Sequence, residues 1–167
     1  TTAIAKAAIR GGNEGSSSTN NGYFAVFTRP TSGSLTERLR IDSSGRLMVG
    51  HNSSLAIGGG DNAPLQVTST TSVLFGGARY VNSSSGPFIS LSKSRAASAG
   101  SNTIVQDSDD LGTILFSGDD GTDLISKGAQ IKGQVDGSPG SNDMPGRLVF
   151  STTPDGSHAP VERMRIK

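Results

Sequence analysis

Short runs of apolar residues recur along this chain, and most of them alternate with polar residues. A period of two places successive side chains on opposite faces of an extended chain, which is the signature of a half-buried β-strand. The pattern predicts strands over residues 21–28, 36–42, 46–49, 65–68, 73–75, 79–81, 88–91, 111–116, 125–135, 147–151 and 161–166. Residues 2–10 fit a helical turn or two, and their isolated alanines fit a strand equally well.

Turn-forming residues separate these runs. Clusters of Gly, Ser, Asn, Asp and Pro supply positive backbone φ and side-chain caps where a chain reverses direction. They occupy residues 11–21, 42–45, 58–64, 82–87, 118–121 and 136–145. Short strands joined by such turns predict an all-β fold.

A five-residue motif occurs twice in the chain. Glu37–Ile41 reads Glu-Arg-Leu-Arg-Ile and Glu162–Ile166 reads Glu-Arg-Met-Arg-Ile, an offset of 162 − 37 = 125 residues. This spacing describes one long module and not a short solenoid repeat. We predict two β-modules, residues 1–60 and residues 61–167, each with one copy of the motif. The missing initial Met and a second motif that stops at Lys167 suggest a piece of a longer polypeptide.

The composition indicates that a single copy has little material for a core. Leu, Ile, Val and Phe together make up about 22% of the chain, close to the level of about 20% below which chains with a high net charge stay disordered. Disorder normally needs a high net charge as well, and the net charge here is +1. We therefore expect a folded chain that completes its core with identical copies.

Charge and residue content also limit the partners. A net charge of +1 gives no electrostatic reason to expect binding to nucleic acid or to an anionic membrane. No apolar run approaches the roughly 18–20 residues of a membrane span, so no membrane insertion is expected. The chain has no cysteine, which excludes disulfides and thiolate metal sites. The glycines at 58–60 and 76–77 lack the spacing of phosphate-binding loops, and no cofactor is expected.

The order of several segments resembles bacteriophage tail fibres and related phage structural proteins. Those proteins repeat a Phe-x-Thr strand, a turn, a Glu-Arg-Met/Leu-Arg-Ile strand, a Ser-Ser-Gly-Arg turn and a short Val-Gly strand. The similar segments here are 27–28, 37–41, 43–50, 111–121, 135–140, 143–150 and 162–166.

This resemblance implies an elongated, intertwined homotrimeric β-fibre segment. It further implies a virion location outside the cell and support of host adhesion. The implied partners are the chain itself, other tail or fibre proteins, and a host surface glycan or protein. Some relatives end in a self-cleaving chaperone domain with Ser/Lys chemistry, and no region of this sequence carries that activity over.

The arginine-rich motif is the first candidate for a functional role. Strict alternation places Glu37, Leu39 and Ile41 on one face of the strand and Arg38 and Arg40 on the other, and the second motif follows the same pattern. Arginine offers a planar fork of donors suited to carboxylates and carbonyls. We interpret a set of residues as structural braces between strands or chains, with aspartates of the adjacent turns as partners: Glu37, Arg38, Arg40, Glu162, Arg163 and Arg165. The alternative interpretation is a sialic-acid or polysaccharide site.

Metal binding is a further candidate. Asp119, Asp120 and Asp123 form an acidic loop whose oxygens suit calcium, although the spacing is not that of an EF-hand and ordinary turns have the same composition. A weaker candidate of the same kind is the group Asp107, Asp109 and Asp110. Three copies of His51 or His158 at a trimer axis would suit a transition metal. We favour turns over metal ligands at all of these positions.

Three classes of function follow from the sequence. The favoured class is a structural fibre segment that supports adhesion and does no chemistry. A receptor-binding segment that uses loops 11–21 or 136–145 is the first alternative, and a tailspike glycan depolymerase is the second. Sugar clefts are usually floored by aromatic side chains, and a chain with 5% aromatic residues and no Trp offers few of them. A bacterial surface filament of similar build also remains open.

Overall fold

The computed structural model describes residues 5–15, 21–60, 62–72 and 74–167. Their regular structure is entirely β, which confirms the predicted fold class. The strands are β1 (Ala7–Asn13), β2 (Gly22–Thr28), β3 (Thr36–Ile41), β4 (Leu47–Val49), β5 (Leu65–Val67), β6 (Asp110–Gly118), β7 (Ser126–Val135), β8 (Gly146–Thr152) and β9 (Val161–Ile166). Within the described ranges no helix has the length and apolar content needed to cross a membrane.

The chain divides into two compact units. The first comprises residues 1–56 and 61–78, and the second comprises residues 57–60 and 79–167. The sequence placed the division after residue 60. In the structure, β5 pairs with β4 inside the first unit, and Ile57 forms a bridge with Leu124 inside the second.

Each unit contains one sheet. In the first unit the strand order is β1-β2-β3-β4-β5, with antiparallel pairs up to β4 and a parallel β4–β5 pair. In the second unit the order is β6-β7-β8-β9, and all three pairs are antiparallel. Within each sheet consecutive strands are neighbours, which is the usual arrangement in folded proteins.

Few side chains are buried among the described residues. The buried hydrophobic residues are Ala25, Met48, Val105, Val135 and Val149, and the buried polar ones are Asp42, Gln66 and Ser151. The buried Gln66 amide accepts the Leu55 backbone N–H at 2.9 Å and donates to the Ser54 hydroxyl at 3.0 Å. Its polar atoms are thus satisfied, as a buried amide requires. The core that one chain supplies to itself is small.

Three predicted strands are not formed. Residues 79–81 and 88–91 belong to no β-ladder, and neither do 74 and 75, whereas residue 73 lies outside the described ranges. Alternation of apolar residues indicates which side chains share a face, but a ladder also needs a neighbouring strand with free hydrogen-bonding groups. These runs have no such neighbour among the residues that the structure describes.

The start of the chain resolves an open alternative. The sequence allowed either a helix or a strand for residues 2–10. The structure has a strand that begins at Ala7. Residues 2–4 lie outside the described ranges. The predicted turn at 11–21 begins later than expected, because β1 continues to Asn13 and pairs there with Gly22. Residues 16–20 of that turn also lie outside the described part of the chain.

Candidate functional site

The two units contain the same three-stranded motif. In the first unit Ile9 pairs with Val26, which pairs with Leu39. In the second unit the corresponding row is Ile131, Phe150 and Met164. The sequence repeat therefore extends to a structural repeat, in which β1-β2-β3 corresponds to β7-β8-β9.

A β-bulge lies at the same place in both copies. Glu37 pairs with Phe27 and Leu39 pairs with Val26, so Arg38 is an extra residue in its strand. Arg163 is the extra residue of the second copy, between Glu162 and Met164. An inserted residue reverses the alternation of side chains beyond it. The strict alternation predicted for the motif was therefore wrong, because it assumed an unbroken ladder.

The bulge brings a glutamate and an arginine together from positions three apart. Arg40 donates from Nε to Glu37 Oε1 at 2.7 Å and from Nη2 to Glu37 Oε2 at 2.8 Å. Arg165 donates to Glu162 in the same way, at 2.9 Å and 2.7 Å. Two parallel charge-assisted bonds hold the strand segments before and after the bulge in fixed relation. We call each pair a bulge clamp.

The bulged arginines contact the neighbouring strand. Arg38 Nε donates to Thr28 Oγ1 at 2.9 Å, and Arg163 Nε donates to Thr152 Oγ1 at 2.9 Å. The sequence proposed aspartates of the adjacent turns as partners. The partners in the structure are instead a glutamate of the same strand and a threonine of the next one. Whether these contacts stabilise the protein stays a prediction, as does their role between chains.

The clamps also shift the proton affinities of their own groups. Hydrogen bonding to Glu37 is the main cause that raises the pKa of Arg40 above its usual value. In the second clamp Glu162 raises the pKa of Arg165, and Arg165 lowers the pKa of Glu162. Each shift favours the charged form of its group, namely Arg40, Arg165 and Glu162.

Different residues surround the two clamps. In the first unit the Arg40 guanidinium lies 3.7 Å from the centre of the Tyr23 ring, and its Nη1 lies 3.5 Å from Glu14 Oε1. Arg147 stands at the position that corresponds to Tyr23, and it forms an ion pair with Asp136 at 2.7 Å. The first clamp is thus covered by an aromatic ring, whereas the second is flanked by further charges.

The turn that follows the first clamp is held by a buried carboxylate. Asp42 Oδ1 accepts the backbone N–H groups of Ser44 and Arg46, each at 2.9 Å, and Oδ2 accepts Arg46 Nε at 2.6 Å. Burial raises the pKa of Asp42, but the hydrogen bonds from Arg46 and Ser44 outweigh it and the net pKa is lowered. The Asp-Ser-Ser-Gly turn thereby leads β3 into β4 with a fixed geometry.

One face of the first sheet is apolar and half-exposed. The row Ile9, Val26, Leu39, Val49 and Val67 crosses all five strands, and the row Gly11, Phe24, Ile41, Leu47 and Leu65 lies beside it. On this face the exposed fraction is 43% for Phe24, 51% for Leu65 and 70% for Ile9. Nothing in the described residues of the unit covers these side chains fully.

The second sheet has the same uncovered face. Its rows are Ile114, Ile131, Phe150 and Met164, and Gly112, Gly133, Leu148 and Ile166. The exposed fractions of Ile114, Met164 and Ile166 are 56%, 50% and 51%. We call these two surfaces the apolar faces.

Most buried residues of the two sheets lie on the opposite side. Val135 is an exception, because it is fully buried at the end of β7 on the same face as Ile131 and Gly133. Ala25, Met48 and Gln66 alternate with the apolar-face residues of β2, β4 and β5, and all three are buried. Val149 and Ser151 take the same place in β8. Each chain thus covers the more polar side of its sheets and leaves the apolar side open. Sequence alternation located the apolar side chains but carried no signal that this side would be the uncovered one.

In the acidic loop that was considered as a calcium site, the carboxylates bond to the backbone and side chains of the loop itself. Asp119 Oδ1 accepts the Gly121 N–H at 2.8 Å, and Asp120 accepts the Thr122 N–H at 2.9 Å and the Ser126 hydroxyl at 2.6 Å. Asp123 accepts the Ile125 N–H at 3.0 Å. These are the bonds of ordinary turns.

The second acidic group is engaged by cations and amides. Asp109 forms a bidentate pair with Arg95 at 2.6 and 2.7 Å, which lowers the pKa of Asp109 strongly. Lys132 donates to Asp110 at 2.7 Å, and Asp107 accepts a backbone N–H. Across the described ranges, no cluster of three or more His, Asp or Glu side chains is placed to hold a metal ion.

The two histidines lie in different units. His51 contacts its neighbour Ser53 through Nδ1. His158 lines a cavity of about 530 Å³ together with Asp120, Asp123 and Lys127. This cavity therefore presents groups of both charges, and the Ser126 hydroxyl in its lining donates to Asp120.

Comparison with known proteins gives matches in structure and none in sequence. No protein-family model matches the chain, and no curated protein matches it in sequence. The fold is similar to the carboxy-terminal domain of the bacteriophage T5 L-shaped tail fibre, with a TM-score of 0.73 and 17% identity over 98% of this chain and 70% of that one. A structure of the same domain with its intra-molecular chaperone domain gives a TM-score of 0.72 and 16% identity, over 97% of this chain and 48% of that one. The chain therefore has a tail-fibre-like fold and spans about half the length of the longer structure.

Proposed function

We propose that this chain is a structural segment of a phage tail fibre, that it acts as a homotrimer outside the cell on the virion, and that it supports host adhesion. The observation that carries the proposal is the pair of apolar faces, one in each unit, which the described residues leave partly exposed. The likeness to a tail-fibre domain supports the fibre role, and the family resemblance of the sequence supports three copies.

Surface area supports an assembly of this kind. The chain exposes 12097 Å². A compact monomer of this mass exposes about 7,700 Å², and two separate compact domains of half the mass expose about 9,300 Å² together. The excess over the second figure is roughly 2,800 Å² per chain. In a trimer with three pairwise contacts this is also the area buried at each contact, and it falls in the range of about 2,000–5,000 Å² for obligate interfaces. Association of identical copies removes such an excess without any other partner.

The mechanism follows from where the apolar side chains lie. When the apolar faces of three chains meet, burial stabilises the assembly by about 25 cal/mol for each Å² of apolar surface removed from water. Most of the folding free energy then arises between chains, and unpaired strand edges are covered by neighbours. A rigid shaft of this kind passes contact from a receptor-binding part to the virion. In this proposal the chain is not an enzyme, and its carboxylates serve turns and ion pairs.

The decisive experiment is the solution mass by light scattering, for the wild type and two variants. We expect three times the single-chain mass of 17.0 kDa for the wild type. Met164→Asp places a charge on the apolar face at a side chain that one chain leaves 50% exposed, so it should prevent assembly and give single chains without a cooperative unfolding transition. Thr113→Asp, on the opposite face of the same sheet, is the matched control and should leave the mass unchanged. A cooperatively folded single copy of the wild type would overturn the proposal.

Support of adhesion can be separated from direct receptor binding. The proposal predicts that the isolated segment does not compete with intact phage for host cells. Competition at micromolar concentration would instead assign receptor binding to the segment itself. Release of oligosaccharide from host capsule would assign it a depolymerase activity.

A further inference from the structure

Gly133 stands in the middle of β7, at a position where glycine is unfavourable. It pairs with Gly112 on β6 and with Leu148 on β8, so it lies in the interior of the sheet. Glycine weakens a strand interior, because it loses more conformational freedom than other residues and has no side chain to pack. Gly133 is not among the glycines with positive φ, so its backbone conformation does not call for glycine.

The neighbouring glycine has an explanation within the chain. A Cβ atom at Gly112 would lie 2.7 Å from Leu91 Cβ, so Leu91 occupies the space that a side chain would need. A Cβ atom at Gly133 would have no atom within 4 Å. The space above Gly133 is a furrow of about 230 Å³, lined by Leu91, Ile114, Ile131 and Leu148 among others. We call it the Gly133 furrow.

The first unit has glycine at the equivalent position. Gly11 pairs with Phe24 as Gly133 pairs with Leu148, and both glycines lie on the apolar face of their sheet. A Cβ atom at Gly11 would meet only the Tyr23 carbonyl oxygen, at an ordinary contact distance of 3.5 Å. Two sheets thus keep a strand-interior glycine at one row of the apolar face, and at neither position does crowding within the chain require it.

We infer that the Gly133 furrow receives an apolar side chain of a second copy of this chain, which rests on the oligomer of the proposed function. Glycine inside a strand often marks a site where another backbone or a ligand approaches closely. The side chains that line this furrow are hydrocarbon, so no side chain there can donate or accept a hydrogen bond to orient a polar ligand. A second copy is the partner that the excess exposed surface requires, and the furrow lies on the face through which it would bind.

The test adds a side chain at Gly133, where the wild type has none. Gly133→Val should be accepted by the single chain, because the space is open and Val favours strands. In the assembly the Val side chain takes the place of the incoming group, and overpacking of this kind should raise the dissociation constant at least about tenfold. The measurement is light scattering over a dilution series, with far-UV circular dichroism to verify the fold.

A matched control lies on the neighbouring strand. Gly118 is also in a strand, also has open space around its Cβ position, and does not line the furrow. Gly118→Val should leave the dissociation constant unchanged. If Gly133→Val does not fold, Gly133→Ala decides, with a smaller rise expected in the same direction.

The outcomes separate the inference from the proposed function. If the wild type assembles and the folded Gly133 variant assembles with the same dissociation constant, the furrow is not a contact and the oligomer still stands. If the wild type itself remains a single chain, the oligomer is wrong and the furrow inference fails with it.

Discussion

The two bulge clamps have the same backbone geometry and different surroundings. The Arg40 and Glu37 side chains are 12% and 15% exposed, whereas those of Arg165 and Glu162 are 36% and 41% exposed. Both pairs are bidentate and both follow a bulged arginine. The clamp is therefore a local product of the Glu-Arg-x-Arg strand and its bulge, and it forms with or without cover from the rest of the sheet.

The difference in solvent exposure decides how much each clamp contributes to the stability of the protein. An ion pair in water gains little, because solvent screens the charges and the side chains lose freedom. Behind Tyr23 and Glu14 the first clamp is shielded, so its hydrogen bonds are stronger and their loss is more costly. The contribution of the second clamp to stability depends more on the charged residues around it, among them the Arg147–Asp136 ion pair.

Low pH is expected to produce the largest difference in stability between the two units, because it protonates several carboxylates at once. In the first unit Glu14 and Asp42 have lowered pKa values. In the second unit the pKa is lowered for Asp109, Asp110, Asp120, Asp136 and Glu162. Arg95, Arg147 and Arg165 are the main causes for Asp109, Asp136 and Glu162, and the Ser126 hydroxyl is the main cause for Asp120.

A lowered pKa in the folded state has a definite consequence for stability. Its contribution is complete above the unfolded values, ordinarily 3.8 for Asp and 4.5 for Glu, and is lost as the pH falls through the lower folded values. We expect the second unit to lose amide-exchange protection before the first as the pH is lowered from 5 toward 2. Hydrogen exchange followed by mass spectrometry resolves the two units. Earlier loss of protection in the first unit would contradict the assignment.

Removal of the two clamp arginines should have unequal effects. Arg40→Ala leaves Glu37 largely buried without its partner, which costs about 1–3 kcal/mol of unfolding free energy. Arg165→Ala should cost less, because solvent replaces the lost hydrogen bonds of the exposed Glu162. Denaturant unfolding of both variants measures the difference. Equal losses would mean that cover does not matter to the clamp.

The Tyr23 ring should account for part of the difference between the stability losses of Arg40→Ala and Arg165→Ala. Tyr23→Leu retains an apolar side chain but removes the ring that faces the Arg40 guanidinium, and it should cost about 1 kcal/mol. In a double-mutant cycle the loss from Tyr23→Leu should largely disappear when Arg40 is already alanine. Additive losses would show that the ring contributes through packing alone.

The bulged arginines should give the smallest and most similar effects. Arg38→Ala and Arg163→Ala each remove one bond of 2.9 Å to a threonine hydroxyl on the neighbouring strand. We expect each change to cost at most about 1 kcal/mol. Thr28→Val and Thr152→Val remove the same bonds from the other side and serve as paired controls. A large difference between the two arginine variants would mean that the copies are not equivalent at the bulge.

The strands that the sequence predicted correctly are those whose evidence is local. In β2 and β8 alternation of apolar residues coincides with a hydrogen-bonded ladder, so the pattern sufficed. The bulge at Arg38 was not predictable in the same way, since it depends on how β3 aligns with β2. Residues 79–81 and 88–91 alternate equally well and form no ladder, because a ladder partner is not encoded by the run itself.

The candidate site shows the same limit. The sequence singled out Glu37, Arg38 and Arg40, and the structure gives each of them a polar contact. The sequence pattern led to the wrong partners for the arginines, because strict alternation places residues three positions apart on opposite faces of a strand. The signal that was available is the recurrence of the Glu-Arg-x-Arg spacing at both motifs, which fits a pair across a bulge better than an unbroken strand.

The bulge clamp has a consequence for how the sheets avoid misalignment. A shift of one residue in the register of a strand would move all of its apolar side chains to the other face of the sheet. In β3 and β9 such slippage would have to move the bulge and pull apart two parallel charged bonds that straddle it. The clamp therefore fixes the register of its strand, so that the apolar side chains of each sheet stay together on one face.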